Sequence, residues 1–182
     1  MTCEQTKGQT ILEHGEAVAQ AYKELFAFDC IPNDNDWYLP IEIWDNFKQL
    51  RAMSPTWDIM ETYHIFHDCG KPSCITIDED GKRHFPNHAM ISAREWLVAG
   101  GDPLIGRLIE HDMDMHLMKP AQAQDYRHMD LAPALLLTAW AELNANSKMF
   151  GGRESTSFKI KSKSLTKLTR AFLPLIFNSK GN

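Results

Sequence analysis

Apolar residues recur along this chain at spacings of three, four and seven in one segment after another, while the alternation of a half-buried strand is almost missing. Ile11, Val18, Tyr22 and Leu25 or Phe26 share one stripe between residues 10 and 27; Trp57, Met60, His64, His67 and Asp68 share another, on a helix that Pro72 is expected to end, and Leu104, Leu108 and His111 a third. Such stripes can be buried only against one another. The pattern therefore predicts an all-α fold, a bundle of about six or seven helices. Further helices are expected from Ile41 to Leu50, from Pro86 to Val98 with Gly100-Gly101 as the stop, from Leu104 to Met115, and from Leu131 to Asn146 with Asp130 as its N-cap. The one strand signal is Ile75-Thr76-Ile77 and Arg83-His84-Phe85 around Asp80-Gly81, a short β-hairpin near residues 75–85.

The stripes turn polar on their inward faces. His14 lies on the first, His64 and His67 with Asp68 on the second, His111 and Asp112 on the third, and Glu142 among Leu135, Ala139 and Leu143 on the helix after Asp130. A histidine on an apolar face is either a hydrogen-bonded core residue or a ligand, and a buried carboxylate is costly unless a cation offsets it. His67 followed directly by Asp68 offers one ion a nitrogen and an oxygen ligand, a mixture suited to first-row transition metals. His64 reads as a packed residue or a support for His67, and His116 with Met113, Met115 and Met118 as lining or packing.

Composition sets the frame. A chain of 182 residues, 43% hydrophobic and 24% charged, is long enough to bury a core without staples and is read as one domain. A net charge of -5 argues against wholesale nucleic-acid coating, yet residues 153–182 hold seven Lys or Arg against one acid, Glu154. That segment is expected to be a basic tail, beginning as a Gly/Ser-rich linker, with a packed helix from Ser164 to Phe177 and a flexible end. Between residues 28 and 55, the run Asn33-Asp34-Asn35-Asp36 and Pro40 indicate an irregular insertion around one helix, whose Trp37, Tyr38, Trp44 and Phe47 either close the core or cap a ligand base. The four cysteines lack zinc-ribbon spacing and no signal peptide is read, so reduced thiols in a cytoplasmic protein are expected; the apolar run Ala171 to Phe177 is too short for a membrane span.

The segment Tyr63-His64-Ile65-Phe66-His67-Asp68-Cys69-Gly70-Lys71-Pro72, continued by Asp78-Glu79-Asp80-Gly81, Phe85 and His88, resembles the HD phosphohydrolase superfamily. It is most similar to the HD domain attached to bacterial CCA-adding tRNA nucleotidyltransferases. No nucleotidyltransferase pattern precedes it, so nucleotide addition is not expected. The resemblance implies an HD domain over residues 1–152 with the insertion at 28–55, and a metal held by His14, His67, Asp68 and a final carboxylate. The family has an Ala-Asp pair at that last position where this chain has Ala141-Glu142, with Asp130 as the competitor. One ion is implied, and His88 and His111 would serve a second bridged through Asp68. Imidazole-rich ligands favour Mn, Fe, Co, Ni or Zn. Asp68 and Lys71 would be the catalytic pair, and Lys71, His88 and His111 would meet the substrate. The implied activity is hydrolysis of a phosphomonoester or 2',3'-cyclic phosphate on a nucleotide or RNA end, in a chain with no membrane association that could form a homo-oligomer. Alternatives are a deoxynucleoside triphosphate triphosphohydrolase or 5'-nucleotidase and, in another class, a non-catalytic metal-containing binding module.

Overall fold

The computed structural model describes residues 3–6, 8–27 and 37–178. In chain order the elements are β1 (Glu4–Thr6), β2 (Gln9–Thr10), α1 (Ile11–Ala27), α2 (Ile41–Met53), α3 (Trp57–Phe66) and the single turn α4 (Lys71–Cys74). They continue with β3 (Thr76–Ile77), β4 (Arg83–His84), α5 (His88–Val98), α6 (Pro103–Glu110), the single turn α7 (Asp114–Leu117), α8 (Ala132–Ala145) and α9 (Thr156–Asn178). The fold is all-α, with strands confined to two-residue and three-residue pieces. Seven α-helices of the described residues exceed one turn. The hairpin at β3 and β4 is antiparallel, pairing Thr76 with His84 and Ile77 with Arg83, and Gly81 takes the positive φ that its turn requires. The pairing of β1 with β2 carries no alternation in so few residues and was not expected from the sequence.

The chain divides into two compact units: Met1–Ala19 with Thr56–Met113, and Gln20–Pro55 with Asp114–Asn182. In the first, α5 packs on α6, α6 on α3 and α4 on α5. Asp102 caps α6, its Oδ1 accepting from Leu104 N at 2.7 Å and Ile105 N at 3.3 Å, and Pro103 occupies the first turn, where its missing N–H costs nothing. Ile105, Leu108 and Ile109 then face inward with Met60 and Tyr63 of α3.

Several expected boundaries differ. The helix carrying His67 and Asp68 ends at Phe66, so both residues sit in a turn, and Pro72 lies in the first turn of α4 rather than terminating α3. The helix begun at Pro103 stops at Glu110, with His111 at its C-cap, instead of reaching Met115. Asp130 is exposed and precedes the N-cap position, which Leu131 fills.

The second unit is built on α8. Apart from half-buried Glu142, every residue from Ala132 to Asn144 is buried, as expected of a helix that is apolar on all sides. α2, α7 and α9 pack around it, and Trp140 Nε1 donates to Thr169 Oγ1 at 3.1 Å. α9 starts at Thr156, ahead of the expected Ser164, because Phe158 and Ser162 are already buried. Of the expected insertion, residues 28–36 lie outside the described residues, as does the expected flexible end at 179–182. Trp44 stacks on Phe47, and Tyr38 packs on Trp140 and Phe158. The backbone of Tyr38 is held by Asn144, whose Oδ1 accepts from Tyr38 N at 2.8 Å and whose Nδ2 donates to Tyr38 O at 3.0 Å. Asn144→Ala leaves both groups without this partner and should lower unfolding free energy by about 1 to 3 kcal/mol in urea titration.

Candidate metal centre

His14 comes from α1, His67 and Asp68 from the turn after α3, and the three are brought together by a close helix approach. A Cβ on Gly15 would stand 2.6 Å from Ile65 O and 2.7 Å from His64 O, so α1 meets the backbone of α3 at a point where only glycine fits. A second such approach fixes the turn. Gly70 N donates to Ser92 Oγ at 2.9 Å, and a Cβ on Gly70 would lie 2.5 Å from Ser92 N. Neither contact is signalled by the motif.

The result is a buried group that could hold a metal ion: His14, His67 and Asp68 each offer a ligand atom, all within 4.8 Å of one another. His67 Nδ1 faces the carbonyl oxygen of His64 at 2.6 Å. Since a carbonyl only accepts, Nδ1 carries the proton, and a neutral His67 presents the lone pair of Nε2 toward Asp68 Oδ2, 3.3 Å away. His64 thus contributes its backbone, while its ring packs beside Tyr63. His14 Nε2 lies 3.8 Å from the same oxygen. Two imidazole nitrogens aimed at one carboxylate oxygen require a proton or a cation between them. The donor set, two imidazoles and a carboxylate in a desolvated pocket, fits a transition metal.

Asp68 is 1% exposed. Burial pushes its carboxyl up, but the charge and hydrogen bond that His67 supplies when protonated, and after them Lys71, pull it down further, and it is held well below the usual carboxylate range. The carboxylate is therefore ionised at any physiological pH. Its Oδ1 is buried and accepts no hydrogen bond among the described residues; His88 Nε2 stands 3.6 Å from it while His88 Nδ1 faces Phe85 O at 3.0 Å.

Lys71 is buried too, its Nζ 2.5 Å from Asp68 Oδ2 and 5.3 Å from the centre of the Phe85 ring. The sequence placed this ammonium beyond the expected ligands, free to meet a phosphoryl group; the structure sets it on the Asp68 carboxylate itself. His111 is half-buried at the end of α6, beside Asp112, which is buried and accepts a hydrogen bond from Tyr63 OH. Glu142 and His116 belong to the second unit, where His116 Nε2 meets Glu142 Oε2 at 2.8 Å and Asn146 Nδ2 meets Oε1 at 3.4 Å. The Glu142 carboxylate thus has an imidazole and an amide as partners. Cys3, Cys69 and Cys74 form no disulfide, and no helix of the described residues is long and apolar enough to cross a membrane.

Comparison with family models, curated proteins and solved structures gives no match.

Proposed function

We propose that this chain is a metal-dependent phosphohydrolase of the HD type. The observation that supports it is the buried His14, His67 and Asp68 group, whose carboxylate is kept ionised and whose His67 tautomer presents Nε2. A divalent ion held there would supply Lewis acidity toward a phosphoryl oxygen and acidify a water ligand. Mn, Fe, Co, Ni or Zn suits the donors, with one ion as the reading and a second favoured by the approach of His88 to Asp68 Oδ1. The substrate proposed is a phosphomonoester or 2',3'-cyclic phosphate of a nucleotide or RNA end; the resemblance around Gly70-Lys71-Pro72 supports that class. The chain's own residues orient and neutralise: Asp68 fixes the cation, and Lys71 is the charge available to a phosphoryl oxygen once it leaves the carboxylate. The test is a screen of full-length protein with each metal against nucleoside mono-, di- and triphosphates, cyclic nucleotides and RNA ends. Free phosphate, tripolyphosphate or a linearised nucleotide as product separates a phosphatase from a triphosphohydrolase and a cyclic phosphodiesterase.

A non-catalytic module is favoured by one observation, the 2.5 Å contact by which Lys71 already balances Asp68. Lys71→Ala distinguishes the two. In an enzyme it should retain or tighten metal binding, because the competing ammonium is gone, while turnover falls on the order of 10²- to 10³-fold. Lys71→Arg should recover little of the rate, since a guanidinium is too broad for this buried position. Calorimetric metal titration and steady-state kinetics at matched occupancy read both effects.

A further inference from the structure

The second unit carries a groove that the metal centre does not explain. It encloses about 850 Å³ along α9 and is lined by Arg153, Lys159, Lys163, Lys167 and Arg170, with Tyr38 in its wall. The chain outside residues 153–182 has nearly twice as many acidic as basic side chains, so this concentration of cations is local. Lys159, Lys163, Lys167 and Arg170 recur at helical spacing, which sets successive charges about 4.5 to 6 Å apart along the axis. Two acids answer them: Glu154 meets Lys159 at 2.8 Å, and Glu42 meets Arg170 at 2.6 Å. Both lysines at the centre, Lys163 and Lys167, are exposed and carry no ion pair among the described residues.

We propose that this groove binds single-stranded nucleic acid. A row of cations at regular steps suits a polyanion with repeating charges better than one isolated phosphate. The aromatic wall selects among polyanions. Tyr38 is 40% exposed, its ring rests edge-on against Phe158 at 6.1 Å and near Trp140 at 5.9 Å, and Asn144 clamps its backbone, making it a rigid face on which an unpaired base can stack. A duplex hides its bases, and polyphosphate, acidic peptides and anionic lipid have none to offer. The site lies wholly within the second unit and stands apart from the phosphohydrolase reading.

Fluorescence anisotropy of the full chain with a short labelled oligouridylate, over a range of salt, tests it. Saturable binding is expected, weakening as salt rises. Lys163→Gln combined with Lys167→Gln should weaken it tenfold or more and flatten the plot of log affinity against log salt by about 1.4, at about 0.7 per phosphate contact. Tyr38→Leu should weaken oligouridylate binding several-fold and leave inorganic polyphosphate binding unchanged, whereas Tyr38→Phe should bind oligouridylate like the wild type. Thermal melts establish that the variants are folded. Absence of saturable binding, an unchanged salt slope in folded double variant, or tighter binding to polyphosphate or phosphatidylserine vesicles with no effect of Tyr38→Leu would each overturn the proposal.

Discussion

Asp68→Asn should remove tight metal binding, lowering affinity by about 100-fold or more, a loss larger than the 10- to 100-fold typical of a supporting residue. The substitution keeps the shape of the side chain but deletes the negative charge that both offsets a dication and balances Lys71. Without that carboxylate, the buried Lys71 ammonium leaves the pocket a net positive charge that opposes a dication. The same change leaves the Lys71 ammonium buried without its anion, which costs about 3 to 5 kcal/mol of stability. Combining Asp68→Asn with Lys71→Met removes both charges. That double variant should regain most of the stability and none of the metal. Calorimetry with chelator-treated protein, paired with urea denaturation, separates the two effects, and a single variant that binds metal like wild type would show that Asp68 is not a ligand.

Gly15→Ala is the second large effect, and it acts through backbone contact rather than through charge. The added methyl has backbone oxygens at 2.6 and 2.7 Å, neither of which can rotate away, so α1 must move off α3. Overpacking of this kind costs about 1 to 3 kcal/mol. Because the neighbouring His14 travels with the helix while His67 remains hydrogen-bonded to His64 O, the ligand atoms separate and metal affinity falls together with stability. Gly81→Ala supplies the comparison: nothing lies within 4 Å of its Cβ and only its positive φ is strained, so it should cost stability at the hairpin without touching metal affinity. Equal metal affinity in the Gly15 and Gly81 variants would contradict the role given to the α1 and α3 contact.

The helices were legible where a buried stripe is long enough to display the period or where breakers bracket it: α1 and α2 fall close to where the apolar spacing from Ile11 and Ile41 puts them, and α5 close to where Pro86 and Gly100-Gly101 confine it. His67 and Asp68 were legible as chemistry, from the motif, though not as geometry. Both fit the stripe of α3, and nothing local shows that the chain leaves the helix at Phe66; the break depends on Gly70 docking against Ser92, a contact between distant residues. The start of α9 was missed because Thr156 to Lys163 is rich in Ser, Thr and Lys and was read by composition, whereas burial of Phe158 decides it. Gly15 did carry a signal. A glycine inside an otherwise regular helix costs about 1 kcal/mol relative to alanine and so implies a close neighbour, here the backbone that carries His64 and Ile65.

The most direct test of the metal-centre reading is titration of chelator-treated full-length protein with Mn, Co, Ni and Zn, each followed by an assay of nucleotide and RNA-end hydrolysis that reads free phosphate, tripolyphosphate and linearised nucleotide. A saturable site filled by at least one of these metals, lost in His67→Gln and Asp68→Asn, with hydrolysis that tracks its occupancy, is the expected result. Metal binding that survives both substitutions, or a filled site that hydrolyses none of these substrates, would contradict it.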